Sequence, residues 1–462
     1  MVTMLASAVV IATMLPLGVM ASGLHPLAML QPRSPAADGR VCVVTPIRQQ
    51  AETTGFGAVV VDDVPQILQA FADCDGGGTV VFPKGARYTI ASRLNLVVKD
   101  VTVHWHGVWE FSTNLTYWRA NGYPIAFQNH QAGFVLSGER ISINGHGTGG
   151  IDGGGDSWYA VEQGVTQVGR PMPFVLWNVS DVVVRHFSVV QSPLWSINVM
   201  NGSNLWFDDI YVNNTATTAP PGKNWVQNTD GFDTMDAHNV ALTNFVYQGT
   251  GDDAIAIKPR SFNIYYQNLT IHGGNGVAIG SLGQYPEEDS SVANVVVTDV
   301  RLIARNSDMH NSAYIKTWVG ETVFQPRGSY ESAGKPNGGG RGSVTNVVFA
   351  NFHLDGAGSG PAIDQDSGNN GSYPGTSNIL ISNIAFRNFT GTLNAKNSRS
   401  AEINTSNNRT ARISCSTRQP CYNIDFRDIA LQPAPNLSAV GAQGECKYVS
   451  PGAIHGMIGK GC

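Results

Sequence analysis

The sequence SNLWFDDIYV at residues 203–212 sets the architecture, because closely similar phrases recur along the chain. Two of them are HNVALTNFVY at 238–247 and FNIYYQNLTI at 262–271, and others begin near residues 180, 293, 345, 377 and 422. Each phrase contains two alternating apolar strands joined by a polar pivot. This recurrence predicts a solenoid in which each repeat stacks on the one before it.

The spacing of a recurring asparagine indicates which kind of solenoid is present. Asn204, Asn239, Asn263 and Asn294 follow one another at intervals of 35, 24 and 31 residues. Such variation excludes a rigid repeat and favours an all-β, right-handed parallel β-helix, because loops of any length can leave its corners. The asparagine is expected to occupy a corner in the left-handed backbone region and to bond to the next coil. A β-sandwich with asparagine-rich turns is the alternative.

The N-terminal part of the chain carries signs of export and of capping. Residues 1–21 are apolar and end in small residues, which predicts a signal peptide; an uncleaved anchor is the alternative. Residues 22–462 are predicted to form a single parallel β-helix domain. The stretch VPQILQAFADC at 64–74 is amphipathic and is predicted to be a short helix that caps the open end of the solenoid.

Composition limits the partners that the protein can have. The net charge is −5, charged residues make up 14% of the chain, and no basic run occurs, so neither nucleic acid nor a membrane surface is expected as a partner. No segment after the signal peptide is apolar for long enough to span a bilayer. A secreted, extracellular monomer is therefore predicted. Ten glycosylation sequons agree with export; they lie at Asn114, Asn178, Asn201, Asn213, Asn268, Asn370, Asn388, Asn404, Asn408 and Asn436.

The six cysteines form an even set near the two ends of the chain. No CxxC pair with an accompanying histidine occurs, so disulfides are predicted and no metal site is. Fifteen pairings are possible. Proximity along the chain favours Cys42–Cys74, Cys415–Cys421 and Cys446–Cys462.

Three aspartates are the candidate catalytic residues in this charge-poor chain. Asp230 lies in NTDG and Asp252 and Asp253 in GDD, 22 residues further on, which is close to one coil. Neighbouring coils lie ~4.8 Å apart, so these side chains can converge if the chain bends or bulges after Gly251. Crowded carboxylates are costly to bury, but glycoside hydrolysis needs one protonated acid and one carboxylate that activates water. The alternative is that both motifs are ordinary turns.

The order and spacing of these motifs resemble the polygalacturonases, family 28 of the glycoside hydrolases. The resemblance runs from FGAVVVDDVPQILQAFADC through GGIDGGGDSWY, NTDGFDT, GDDAIAIK and GNGVAIGSLGQY to YIKTW. It implies an inverting hydrolase that cuts pectin backbones without metal or cofactor. It also implies that Asp252 is the general acid and that Asp230 and Asp253 activate water.

Two departures from the family pattern bear on the substrate. The family's Gly-His-Gly is replaced at its centre by Asn275, and its Arg-Ile-Lys begins here with Tyr314 and ends with Lys316. The resemblance implies that the histidine helps to set protonation in the cluster, which asparagine cannot do by titrating. It also implies that the arginine holds a galacturonate carboxylate on the non-reducing side of the scissile bond. Lys316 would serve the sugar on the other side. The predicted substrate-binding residues are Asn228, Asn275, Tyr314 and Lys316.

The exchange of arginine for Tyr314 removes a planar carboxylate clamp and suits a sugar that bears a methyl group. Rhamnose linked to galacturonate presents such a bond, so an exo-acting α-L-rhamnosidase that releases terminal rhamnose from rhamnogalacturonan is predicted. The alternative is an exo-polygalacturonase (galacturan 1,4-α-galacturonidase), with Arg260 or Arg305 replacing the missing cation. The GSLGQY segment resembles exo-acting fungal members. A pectate lyase and a non-catalytic carbohydrate-binding solenoid are more distant alternatives.

Overall fold

Strands dominate the computed structural model, which describes residues 31–47, 61–305, 309–324, 336–365, 372–394, 409–433 and 441–462. The N-terminal coils contain β1 (Val41–Val43), β2 (Thr79–Phe82), β3 (Arg87–Ile90), β4 (Leu94–Trp105), β5 (Val108–Phe111), β8 (Phe134–Asn144) and β9 (Gly150–Asp152). A separate small sheet contains β6 (Tyr123–Ile125), β7 (His130–Ala132) and β10 (Pro171–Met172).

The later coils alternate between long and short strands. The long ones are β11 (Phe174–Val190), β12 (Ile197–Asn214), β13 (Phe232–Gly249), β15 (Ser261–Gly273), β17 (Val292–Ile303), β19 (Arg341–Ala357), β21 (Asn378–Leu393) and β23 (Tyr422–Gln432). The short ones are β14 (Ile255–Ile257), β16 (Val277–Leu282), β18 (Ala313–Thr317), β20 (Ala362–Asp364), β22 (Ala411–Ser414), β24 (Ala442–Lys447), β25 (Ile454–His455) and β26 (Met457–Lys460). The helices are α1 (Val64–Cys74), α2 (Leu115–Asn121) and α3 (Gly155–Glu162).

Parallel pairing between successive coils joins these strands into one continuous sheet. Val182 in β11 pairs with Leu205 in β12, which pairs with Val240 in β13, which pairs with Ile264 in β15. Equivalent positions of the repeated phrases therefore form columns along the solenoid. This arrangement confirms the predicted parallel β-helix.

The recurring asparagines form the predicted ladder at one corner. Asn204, Asn239, Asn263, Asn294 and Asn346 all have φ between 56° and 59°. From Asn239 onward, each side-chain amide donates to the side-chain oxygen of the asparagine in the previous coil, over 2.9–3.1 Å. Asparagine tolerates this backbone conformation, and its side chain supplies both a donor and an acceptor. Each asparagine in the ladder can therefore bond to the coil before it and to the coil after it.

The interior of the solenoid is filled by stacked apolar columns. Phe349, Phe386 and Phe426 stack in three successive coils, with ring centroids 5.4 Å and 5.0 Å apart. The centroid spacing follows the ~4.8 Å separation of the strands that carry the rings. Full burial of one such side chain contributes roughly 1.5–3 kcal/mol. The long middle of the chain is therefore stabilised without disulfides.

The ends of the described chain agree with the sequence-based expectations. Helix α1 packs on β1, β2 and β4 with Ile67 and Phe71 buried, as predicted for a capping helix. All three predicted disulfides are present: Cys42–Cys74, Cys415–Cys421 and Cys446–Cys462. The predicted signal peptide lies outside the described residues. Within the described ranges, no helix is long and apolar enough to cross a membrane.

Candidate active site

The candidate catalytic residues lie on one face of the solenoid, where β13, β14, β16 and β18 follow one another. The backbone N–H of Gly231 donates to the carbonyl of Asp253 (3.0 Å), and that of Asn275 donates to the carbonyl of Asp252 (2.9 Å). This register aligns Asp230, Asp253 and Asn275 in consecutive coils. Asp252 lies one residue before the position that pairs with Asp230, and all three aspartates lie close enough for their charges to interact, as the spacing of close to one coil predicted.

The chain bends after Gly251, as the sequence predicted. Gly251 and Asp252 lie in a bend between the end of β13 and the start of β14. A side chain at Gly251 would collide with Thr229 and Val226, since a Cβ there would lie 2.2 Å from the Thr229 hydroxyl. The bend leaves Asp252 partly exposed and buries Asp253. Both carboxyl groups can therefore serve the same site, which strict strand alternation would prevent.

Asp253 is the centre of a hydrogen-bond network that contains three of the four predicted binding residues. The Lys316 ammonium donates to its carboxylate over 2.8 Å and the Asn275 amide over 3.0 Å, and the Tyr314 hydroxyl donates to it as well. The Asn275 amide also donates to the Tyr314 hydroxyl over 2.8 Å. The two departures from the family pattern are thus in direct contact, and together they hold one carboxylate.

Tyr314 does not present the open ring that its place in the sequence suggested. The residue is buried, with only 4% of its surface exposed, and it packs with Ala278 and Ala362. Burial and the neighbouring Asp253 raise the pKa of its hydroxyl far above the usual value, so it stays protonated as a donor. The ring therefore offers little surface to a sugar, and the hydroxyl serves Asp253.

Lys316 is the cation nearest to the Asp252–Asp253 pair. Burial opposes its charge, but the carboxylates of Asp253 and Asp252 outweigh burial and raise its pKa. Its side chain keeps 20% of its surface exposed. The ammonium can therefore pair with Asp253 and still face the groove.

Asp252 has the environment that a general acid needs. The Asn228 amide donates to its carboxyl over 3.1 Å, and Thr166 holds Asn228 through a 2.6 Å bond to the amide oxygen. Burial, and then the charge of Asp253, raise the pKa of Asp252. A raised pKa keeps the proton available for transfer to a leaving oxygen.

Two residues that sequence reasoning missed complete the cluster. The ammonium of Lys258 lies 3.2 Å from Asp230 and 3.5 Å from Asp233, and 3.9 Å from the centre of the Trp195 ring. Burial raises the pKa of Asp233 to about 7, although Lys258 opposes the shift. Burial, and then Asp233, raise the pKa of Asp230 well above its usual value. Lys258 therefore compensates part of the negative charge that Asp230 and Asp233 would carry in this buried position.

The missed residues had a detectable signal in the quoted motifs. Asp233 lies in NTDGFDT and Lys258 ends GDDAIAIK. Side chains alternate between the two faces of a strand. Counting in steps of two from Asp252 reaches Lys258, whereas counting from Asp253 does not. The predicted cation candidates lie elsewhere: Arg260 binds Asp236 and approaches Glu288 (3.7 Å), and Arg305 is exposed.

A hairpin packs against the segment that follows β16, beside the acidic cluster. It consists of β6, a 3-10 turn at Phe127–Asn129, and β7. The Gln128 side chain donates to the side chain of Gln284 over 2.8 Å. The rings of Phe127 and Tyr285 meet edge to face at 5.7 Å. Gln284 and Tyr285 belong to GSLGQY, so this segment closes a contact that spans more than 150 residues of sequence.

The hairpin also contacts the residues that hold the missed lysine. His130 in β7 lies edge-on to Trp195, with ring centres 4.4 Å apart. Trp195 in turn carries Lys258 on its ring face. The hairpin therefore lies directly beside the acidic cluster. In the part of the chain that the structure describes, no set of three or more His, Cys, Asp or Glu side chains is arranged to hold a metal ion.

The chain is similar to known proteins over most of its length. The sequence model for "Glycosyl hydrolases family 28" matches residues 79–332 and 334–454. A "putative galacturan 1,4-alpha-galacturonidase C" of Aspergillus niger is 59% identical over 398 residues, which cover 86% of this chain and 90% of the relative. An α-L-rhamnosidase of the same species is 30% identical over 422 residues, 90% of each chain.

Solved structures agree on the fold. The crystal structure of an endo-xylogalacturonan hydrolase from Aspergillus tubingensis superposes with a TM-score of 0.69, covering 90% of this chain and 98% of that one. The sequence identity is 23%, so the likeness supports the β-helix architecture alone.

Proposed function

Because the chain belongs to family 28 of the glycosyl hydrolases and is a pectin-degrading enzyme, we propose that it releases single galacturonate residues from the non-reducing ends of polygalacturonan. This activity was the alternative that the sequence left open. The relatives favour it over the predicted rhamnosidase, since the galacturonidase is 59% identical and the rhamnosidase 30% identical.

The observation that carries the exo-acting part of the proposal is the hairpin across the groove. An endo-acting enzyme needs a groove that is open at both ends, so that a polymer can lie through it. Here the contacts from Phe127 and Gln128 to Tyr285 and Gln284 bound one end. A terminal sugar can fill the space between this boundary and Asp252, whereas an internal sugar would have to carry further residues through the hairpin.

The charges beside the catalytic carboxyl groups support a uronate rather than rhamnose. The predicted rhamnosidase depended on Tyr314 as an apolar surface for a methyl group, but this ring is buried and its hydroxyl is bonded to Asp253. The cluster instead contains two ammonium groups, Lys258 and Lys316. These are the cations through which a galacturonate carboxylate would be attracted to an otherwise acidic site.

The proposed reaction uses the three aspartates in separate roles. Asp252 donates its proton to the glycosidic oxygen as that bond breaks. Asp230 and Asp253 accept a proton from a water molecule, which attacks the anomeric carbon from the opposite side. Lys316, Asn275 and Tyr314 hold Asp253 in position through the donors described above. No metal or cofactor takes part in this scheme.

We also propose where the protein acts and in which oligomeric state. The protein acts on pectic polymers or oligomers outside the cell, after removal of residues 1–21, and as a monomer. The sequons and the three disulfides support an oxidising, secretory route.

Product analysis tests this function directly. Purified protein is incubated with pentagalacturonate and, separately, with rhamnogalacturonan oligosaccharides that end in rhamnose. We expect free galacturonate and tetragalacturonate from the earliest time points of the first reaction, and no rhamnose from the second, because the closed groove admits one terminal uronate. The Asp252→Asn variant, prepared in the same way, controls for contaminating hydrolases. Rhamnose from the second reaction, or di- and trigalacturonate as the first products of the first, would contradict the proposal.

A further inference from the structure

We infer that the coils beyond the catalytic carboxyl groups form a second binding site, centred on Arg412, for a carboxylate of the departing polymer chain. This inference rests on the proposed function, because it takes the substrate to be a polyuronate. The second site would lie a few sugar residues from the cleaved bond. Its contribution to substrate binding would therefore depend on the length of the substrate.

Register places Arg412 on the same outward face as the catalytic network. Tyr314 in β18 pairs with Ala362 in β20, which pairs with Arg412 in β22. In the neighbouring column, Lys316 pairs with Asp364. Two strand spacings separate Arg412 from Tyr314, or roughly 10 Å along the solenoid axis. A chain that leaves the catalytic site over β18 thus reaches Arg412 within a few sugar residues.

The closed end of the groove fixes the direction in which the chain leaves. The body of the hairpin lies beside the earlier coils, because β7 pairs with β10 and His130 packs against Trp195, and its tip at Gln128 reaches forward to Gln284. A polymer with its terminal sugar beside Asp252 must therefore extend over the later coils, from β18 towards β24. Arg412 lies on that path.

The side chains around Arg412 form a built anion site. They line a cavity of about 40 Å³ that is bounded by Arg409, Ala411, Arg412, Ile413, Ser414, Glu445 and Lys447. Arg412 pairs with Asp364 through one terminal nitrogen at 2.9 Å. Its Nε is buried and has no hydrogen-bond partner among the described residues. A buried guanidinium donor without an acceptor is costly, and a carboxylate oxygen is the acceptor that guanidinium prefers.

The charge balance of this cavity also favours an anion. Among the described residues that line the cavity or adjoin it, three side chains are cationic (Arg409, Arg412 and Lys447) and two are carboxylates (Glu445 and Asp364). At the catalytic site, in contrast, Lys258 lies beside Asp230 and Asp233, and Lys316 is paired with Asp253. The later coils therefore add a further attraction for a polyanion to that of the two lysines at the catalytic site.

The dependence of KM on chain length tests the second site. For the wild-type protein, we expect KM to be lower for pentagalacturonate than for digalacturonate, which is too short to reach Arg412. In Arg412→Gln, KM for pentagalacturonate should rise about tenfold, the effect of one charged hydrogen bond, with kcat unchanged. KM and kcat for digalacturonate should stay at wild-type values. Added NaCl should reduce the wild-type advantage of the longer substrate.

Two further variants keep the test decisive. Lys447→Gln removes a second cation from the cavity and should show the same chain-length pattern even if Arg412→Gln folds poorly. Arg427→Gln removes an equal charge from an exposed side chain on β23 and should change neither KM. Equal effects on both substrates, or wild-type KM values that do not depend on length, would overturn the inference. Failure of the wild type to release galacturonate from either oligomer would instead overturn the proposed function.

Discussion

Asp252→Asn is expected to lower kcat by about 10²–10⁴-fold, because an amide cannot donate the proton that the leaving oxygen needs. The fold should be retained, since the Asp252 side chain is partly exposed and an amide oxygen can still accept the bond from Asn228. Affinity for oligogalacturonate should be nearly unchanged. The measurement combines kcat with the thermal unfolding midpoint and an inhibition or binding constant for the same oligomer.

The nature of the leaving group makes this prediction specific to a general acid. An aryl galacturonide with an acidic phenol needs little protonation, so Asp252→Asn should lose far less activity on it than on digalacturonate. Asp73→Asn, an exposed change on α1, controls for the loss of one carboxylate. Equal losses on both substrates would show that Asp252 is not the proton donor.

Lys258→Met should produce the largest loss of stability among single changes at the site. It removes the cation from the buried carboxyl groups Asp230 and Asp233 while preserving much of the side-chain volume. Breaking a buried ion pair by removing one partner typically costs about 3–5 kcal/mol of unfolding free energy. Denaturant unfolding of the variant against the wild type measures the difference.

The size of this loss should depend on pH in a defined direction. Burial holds the pKa of Asp233 at about 7 in the folded protein, above its ordinary value of 3.8, and Lys258 counteracts that rise. A carboxyl group with a raised folded pKa stabilises the fold at low pH, and this contribution is lost as the pH rises through the folded pKa. Without Lys258 both aspartates shift further upward. The variant should therefore be closest to wild-type stability near the ordinary pKa of aspartate and furthest from it above about pH 7.

A surface change separates this effect from a general loss of positive charge. Lys223→Met, at an exposed position, should alter the unfolding free energy little at any pH. The acidic limb of kcat/KM should also move to higher pH in Lys258→Met, because Asp230 then remains protonated over a wider range. A loss of stability that is the same in acid and in base would contradict the proposed charge balance.

The fold was predictable because an asparagine recurs at the same corner of successive coils. Each coil needs a residue that tolerates positive φ and can bond to its neighbours, and the asparagines from Asn204 to Asn346 supply it at visible intervals. The disulfides were predictable because each closes a short span of the chain. Neither inference needed knowledge of loop lengths or side-chain orientation.

The site was only partly predictable, because side-chain direction at the bend depends on register. The convergence of Asp230, Asp252 and Asp253 followed from the coil length and the bend after Gly251, but the register that places Asp253 rather than Asp252 beside Asp230 did not. The contacts of Lys258 with Asp230 and Asp233 also depend on this register and were not predicted. The contact between the hairpin and the segment after β16 could not be predicted from the sequence, since Gln128 and Gln284 are 156 residues apart.

Tyr314 illustrates how a substitution can be misinterpreted when its neighbour is ignored. Taken alone, the exchange of arginine for tyrosine indicated an apolar sugar. In the structure, Asn275 and Tyr314 bond to each other and to Asp253. The two departures therefore act as one change in how the carboxylate is held.

The anomeric configuration of the first product tests the central claim most directly. Proton NMR during hydrolysis of trigalacturonate by the wild-type protein follows the anomeric signals of free galacturonate before mutarotation. Attack by water opposite the proton donated from Asp252 inverts the α-linkage. Galacturonate should therefore appear first as the β-anomer. Initial release of the α-anomer would contradict direct displacement by a water molecule held at Asp230 and Asp253.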